Sequence, residues 1–284
     1  MSLKAVCLSL VILLPVFAAP APDTVPSQRA PELQLDQILE RNYQARGGLD
    51  KLKALRSFRM TMHFSVKGTG YPMTIEARRP SCFRAELNIS GATMVQAFDG
   101  KTGWVVNPLA SNNHTRMMGK AELIQIENQA DMDGPLVDWK IKGHKIELLG
   151  REKQLEGEFI KLKITMRGGQ EFVSYLDAKT YLEMKQVTTR TIDGKQVEGE
   201  SLFWDYRPVN GLVFPYKLES GPKGSENRQT ITVKQIELDP ELSDDRFKEP
   251  PEFEQPQKPA EAPKPADAPK TESPMKSGGA IEVP

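Results

Sequence analysis

From Ser57 to Leu238 the chain repeats one pattern, apolar and polar residues alternating with a period of two. Phe58, Met60, Met62, Phe64 and Val66 alternate with Arg59, Thr61, His63 and Ser65. Met73, Ile75 and Ala77 share one face of the next run, and Phe83, Ala85, Leu87 and Ile89 alternate with Arg84, Glu86 and Asn88 after it. Side chains of a strand point alternately to its two faces, so each run predicts a strand with one face in a core. The same reading places strands at 93–98, 103–107, 146–149, 160–166, 172–176, 182–188, 202–206, 212–218 and 231–238, with Leu162, Ile164 and Met166 forming an apolar row in the second half. Turn chemistry separates them, as at Asp99-Gly100-Lys101-Thr102, Arg167-Gly168-Gly169 and Asp193-Gly194. In the last run the apolar phase slips between Val233 and Ile236, which predicts a bulge.

Helical spacing is rarer. Leu35, Ile38, Leu39, Asn42 and Tyr43 follow it between Pro31 and the stop at Gly47-Gly48, predicting a helix over 33–46. Leu49 to Leu55 reads as a short second turn, and Lys120 to Gln129, with Leu123, Ile124 and Ile126, as a mid-chain helix followed by an irregular stretch through Trp139. The fold class is therefore mainly β (α+β), an antiparallel meander of about eleven or twelve strands, and a sheet that long must curl. Its apolar face then needs a cover, which only the helices can supply.

One residue breaks the pattern. Arg79 continues the row of Met73, Ile75 and Ala77, a permanent cation on an apolar face. Either it flips outward at the strand end, where Pro80 stops regular pairing, or it stays inward and finds helix-end or loop carbonyls on the cover. The second alternative describes a latch. The row Phe58, Met60, Met62, Phe64, Met73, Ile75, Phe83 and Leu87, together with Leu162, Ile164 and Met166 from the second half, has two readings as well: ordinary core, or a cavity for flexible acyl chains, to which methionine adapts well.

Outside this region the composition changes character. Residues 1–18 carry Lys4, an apolar run from Ala5 to Leu14 and a small-residue site at Val16-Phe17-Ala18, the form of a secretory signal peptide. With Cys7 removed, Cys82 is the remaining cysteine, expected on the outward parity, and no internal disulfide can form. Residues 19–32 are expected to be a flexible segment, 33–248 one domain, and 249–284, rich in Pro, Ala, Lys and Glu, a disordered tail. A formal net charge of zero gives no electrostatic footprint for nucleic acid. His63, His114 and His144 are far apart, without Cys or carboxylate neighbours at ligand spacing, and neither a nucleophile elbow nor a phosphate-cradling loop occurs. No metal, cofactor or enzymatic activity is expected.

Arg79-Pro80-x-x-Phe83, followed by Phe98-Asp99-Gly100-Lys101-Thr102-x-Trp104-x-x-Asn107-Pro108, resembles the periplasmic lipoprotein carriers of Gram-negative bacteria, the LolA/LolB-like outer-membrane lipoprotein-sorting proteins. The resemblance covers residues 33 to about 247 in outline and is motif-specific over 79–108. It implies an incomplete antiparallel barrel with a helical lid over a hydrophobic cavity, and a soluble, periplasmic, non-enzymatic carrier. The implied cargo is an acylated lipoprotein or another lipid, received from an inner-membrane transporter and passed to an outer-membrane receptor. Arg79 takes the place of the family's lid-latching arginine and Phe83 that of an aromatic residue of the cavity region. The rival is an envelope structural or lipid-sensing interaction module whose inner face is filled core.

Overall fold

The computed structural model describes residues 34–110, 115–192 and 195–249. At its centre β1 (Ser57–Val66) pairs antiparallel with β2 (Thr69–Arg78), setting Phe58 opposite Ala77, Met60 opposite Ile75 and Met62 opposite Met73. β3 (Cys82–Ile89) extends the same row, with Phe83 opposite Ala77 and Leu87 opposite Met73. β4 (Ala92–Phe98), β5 (Gly103–Val106) and β6 (Thr115–Met117) complete this wing.

The other wing begins on the far side of β1, which pairs with β13 (Gln229–Leu238). Phe58 faces Leu238, Met60 faces Ile236 and Met62 faces Val233, the register shifting between Thr61 and Met62. The predicted bulge is thus present: one extra residue lets both apolar rows stay on one face. From β13 the sheet continues through β12 (Leu212–Pro222), β11 (Lys195–Val209), β10 (Glu183–Ile192), β9 (Glu171–Asp177) and β8 (Gly157–Thr165) to β7 (Lys145–Gln154). The result is a single curled, antiparallel, 13-stranded sheet in the order β6-β5-β4-β3-β2-β1-β13-β12-β11-β10-β9-β8-β7. Its two ends, β6 and β7, are not paired, so it is an incomplete barrel.

Two differences from the sequence reading have physical causes. β6 is only three residues, Thr-Arg-Met, too short to display alternation. The β10–β11 hairpin runs well past the apolar stretches 182–188 and 202–206. Its extension is held by the backbone ladder, and on β11 the charged Glu198 and Glu200, paired with Lys223 and Arg228 of the β12–β13 turn, leave no hydrophobic period to read.

The inner face is covered by α1 (Leu35–Ala45), α2 (Leu49–Ala54), α3 (Lys120–Ala130) and the irregular segment 131–144. α3 packs Ile126 and Ala130 against Ala77, Phe83, Phe98 and Val105. From α2 and its end, Leu52 and Leu55 meet Val137, Leu212 and Phe58. The turn between α1 and α2 lies against the β11–β12 turn, and only glycine fits there. Gly47 has φ 112°, and a Cβ on it would lie 2.1 Å from the Gly211 carbonyl oxygen.

The outer face of β2–β5 is crossed by a strap, residues 239–249, which includes a 3-10 turn at Asp244–Arg246. Leu242 and Phe247 pack on Cys82, and Trp104 Nε1 donates to the Phe247 carbonyl at 3.1 Å. Cys82 is on the outer face, as its parity requires, but the strap leaves it 6% exposed. The strap's Arg246 joins Arg59 on the carboxylate of Glu76, at 2.9 and 2.8 Å. Burial pushes that carboxyl up, but the two guanidinium groups outweigh it and hold it below the ordinary range. The expected signal peptide (1–18), the segment 19–32, His114, the Asp193-Gly194 turn and the expected tail from Pro250 lie outside the described residues.

Candidate functional site

β2 ends at Arg78, and the chain then turns Arg79 to the inner face, beneath the cover. There Nε donates to the Leu55 carbonyl at 2.7 Å and Nη2 to the Leu52 carbonyl at 3.0 Å. These are carbonyls from the end of α2, the groups a helix leaves without partners and where its dipole favours a cation. The rest of the fork grips Asp133 of the irregular segment, Nη1 to Oδ2 at 2.8 Å and Nη2 to Oδ1 at 2.5 Å. Burial drives the Asp133 carboxyl up, but the hydrogen bonds and charge of Arg79 prevail, with Lys142 and Arg46 adding to them, and hold it below the usual carboxylate range.

The cover is tied down elsewhere too. From α1, Asn42 Nδ2 donates to the Tyr181 carbonyl at 2.8 Å and Arg41 to the Tyr181 hydroxyl at 2.9 Å, reaching the β9–β10 turn. Tyr43 donates to the Leu136 carbonyl at 2.7 Å, and Lys53 pairs with Asp138 at 2.8 Å. Lys142 holds the segment in shape through Asp131 and the Gly134 carbonyl. Arg79, Asn42 and Arg41 thus add polar ties between cover and sheet to the apolar packing of α2 and α3.

Beneath it a cavity of about 220 Å³ stays unfilled. Its walls are apolar side chains, among them Leu52, Leu55, Phe58, Ile164, Phe203 and Phe214, with Asn42, Arg46, Glu183 and Tyr206 as polar members. Arg46, Glu183 and Tyr206 are half-buried where they line the cavity. Glu183 accepts from Ser174 Oγ at 2.5 Å and from Gln186 Nε2 at 3.0 Å, and burial still pushes its carboxyl up. Tyr206 donates to the Glu183 carbonyl and is likewise pushed up by burial.

Of the apolar residues singled out in the sequence, Phe58 and Ile164 line this cavity. Met60, Met62, Met73 and Ile75 gather around Val233 and Ile236, with Phe214 linking that cluster to the Leu52–Leu55 group. Phe83 lies under α3, and Leu162 and Met166 are buried on β8 and just beyond it. Phe64, Met60, Met73, Ile75 and Leu87 keep partial exposure, so the inner face is not sealed along its length. The sequence reading missed Asp133, Arg46 and Glu183. The only signal for them was position: Arg46 before Gly47-Gly48, Asp133 in a segment without periodicity, and Glu183 opening a strand.

No protein-family model matches the sequence, and no curated protein matches it. Solved structures do. A LolA superfamily protein from Nitrosomonas europaea superposes with a TM-score of 0.53 at 13% identity, over 76% of this chain and 98% of that one. A DUF1329 family protein from Desulfovibrio piger gives 0.51 at 13% identity, over 74% of this chain and 97% of that one. Among the described residues no helix is long and apolar enough to cross a membrane. At these identities the likeness is one of architecture: over about three quarters of its length this chain carries a LolA-like fold.

Proposed function

We propose that this protein is a non-enzymatic lipid carrier which takes an acyl chain onto the inner face of its half-barrel and releases it when the cover moves. One observation carries the reading. The cover, pinned by the Arg79 contacts, lies over an unfilled, mostly apolar cavity whose wall residue Phe214 also packs in the cluster of Met60, Met62 and Met73. An interaction module with a filled core has no use for that space. Each buried methylene favours the protein over water by about 0.8 kcal/mol, so a chain gains enough to displace hydrogen bonds worth about 1 kcal/mol each. Breaking the Arg79 contacts then opposes binding and keeps the cargo exchangeable without any nucleotide. The leader-like segment 1–18 fits a periplasmic location. A membrane transporter as donor and an outer-membrane receptor as acceptor, with an acylated lipoprotein as cargo, extend the reading by fold analogy.

Native mass spectrometry of the purified full chain, followed by organic extraction, tests it. Co-purifying lipid or acylated protein, lost from a folded Phe58→Glu variant, is the expected result. An empty protein that takes up no fluorescent fatty acid, with or without Arg79→Leu, would make the filled-core module the better account.

A further inference from the structure

The polar end of the cavity has a composition that a purely hydrocarbon ligand does not require. Arg46 stands at its wall with a guanidinium that carries five N–H donors. Nη1 donates to the Asp133 carbonyl at 3.0 Å, and among the described residues no carboxylate is ion-paired to Arg46. The nearest acid of the cover, Asp133, is already gripped by both arms of Arg79. Glu183, on the sheet side, is engaged by Ser174 and Gln186, and burial drives it toward its neutral form. A deeply placed cation is thus left without a contacting counter-ion, a costly arrangement unless an anion arrives.

We propose that Arg46 is a head-group site and that its ligand is a single-chain amphiphile with a carboxylate head. This rests on the carrier reading and gives it a substrate class. The chain would leave Arg46 between Phe58 and Phe214 and continue toward Met60 and Met62, because Phe214 belongs to both the Leu52–Leu55 and the Met62–Val233 clusters. A volume of about 220 Å³ is below the ~300 Å³ at which ordinary ligand pockets begin, so the closed cavity takes the head and the first part of the chain. The flexible methionines then yield to the rest. A carboxylate, smaller than a phosphate ester and able to take the guanidinium fork bidentately, suits this confined space.

The test is competition against a neutral fluorescent probe, N-phenyl-1-naphthylamine, on the full chain, using hexadecanoate and hexadecan-1-ol, which share a chain and differ in head. Wild type is expected to prefer the acid by about tenfold or more, the worth of a charge-assisted hydrogen bond. Arg46→Met should lose that preference while still binding probe and alcohol, and Arg46→Lys should retain much of it. Equal affinity for acid and alcohol in wild type, or a preference that survives Arg46→Met, overturns the head-group site but leaves the carrier standing. Failure of wild type to bind the probe or either amphiphile overturns both. Should Arg46→Met not fold by circular dichroism, the wild-type ratio and Arg46→Lys decide the matter, since a head-group cation predicts a preference in both.

Discussion

A guanidinium that enters an apolar strand row has to find acceptors or leave the row, and Arg79 finds four hydrogen bonds on Leu52, Leu55 and Asp133. Its partner sets a pH dependence. The Asp133 carboxyl is held below its ordinary value in the folded state, so the contact stabilises above the unfolded pKa of about 4 and is lost as pH falls through the lower folded value. Asp133→Asn is expected to cost about 1–3 kcal/mol near neutrality, measured by urea unfolding, and the gap from wild type should shrink steadily below pH 4. A gap that stays constant to pH 3 would mean that Asp133 does not titrate against Arg79. At this scale the sequence was readable where a period exists. The row of Met73, Ile75 and Ala77 points Arg79 at the cover, whereas Asp133 sits in 131–144, where no period assigns a direction, and Arg46 reads as an ordinary cation at a helix end.

Among the elements, the strap 239–249 contributes most for its length. Phe247 is 1% exposed, fills the outer face over Cys82, and receives the indole hydrogen bond of Trp104 on its carbonyl. Phe247→Ala is expected to cost about 3–5 kcal/mol and to expose Cys82, which a thiol reagent would then label at a rate far above that of wild type. Unchanged labelling would show that Leu242 and Arg246 alone keep the strap in place. Nothing in the pattern announced this element, because its apolar residues Leu242 and Phe247 are spaced for neither helix nor strand. The β13 bulge was legible for the opposite reason: two interlocked apolar rows cannot slip by one residue without leaving a trace in the sequence.

The molecule as a whole balances a partly exposed apolar face against the Arg79–Asp133 fastening of its cover, and acid should tip the balance. Once Asp133 is neutral, Arg79 loses its counter-ion and sits near the cations Lys142 and Arg46, with Asp131 still bound to Lys142. Binding of N-phenyl-1-naphthylamine by wild type is expected to rise several-fold between pH 6 and pH 3.5 while far-ultraviolet circular dichroism is unchanged, and Arg79→Leu should bind it strongly at both. A wild-type response that is flat, or that is shared by Arg79→Leu, would detach the opening of the cover from this pair. The curled sheet itself followed from strand count and alternation; the cavity did not, because empty space is a property of three-dimensional packing that no residue row encodes.

The strand order holds one more implication. The sheet is two ribbons, each laid down in sequence, and they are sewn together along a single seam where β1 meets β13, so that Phe58 touches Leu238 at the very middle. A nascent chain therefore makes its centre first and completes it last. β1 waits with one flank bare until the final strand has emerged, and closing a loop that spans the domain becomes the slow step of folding.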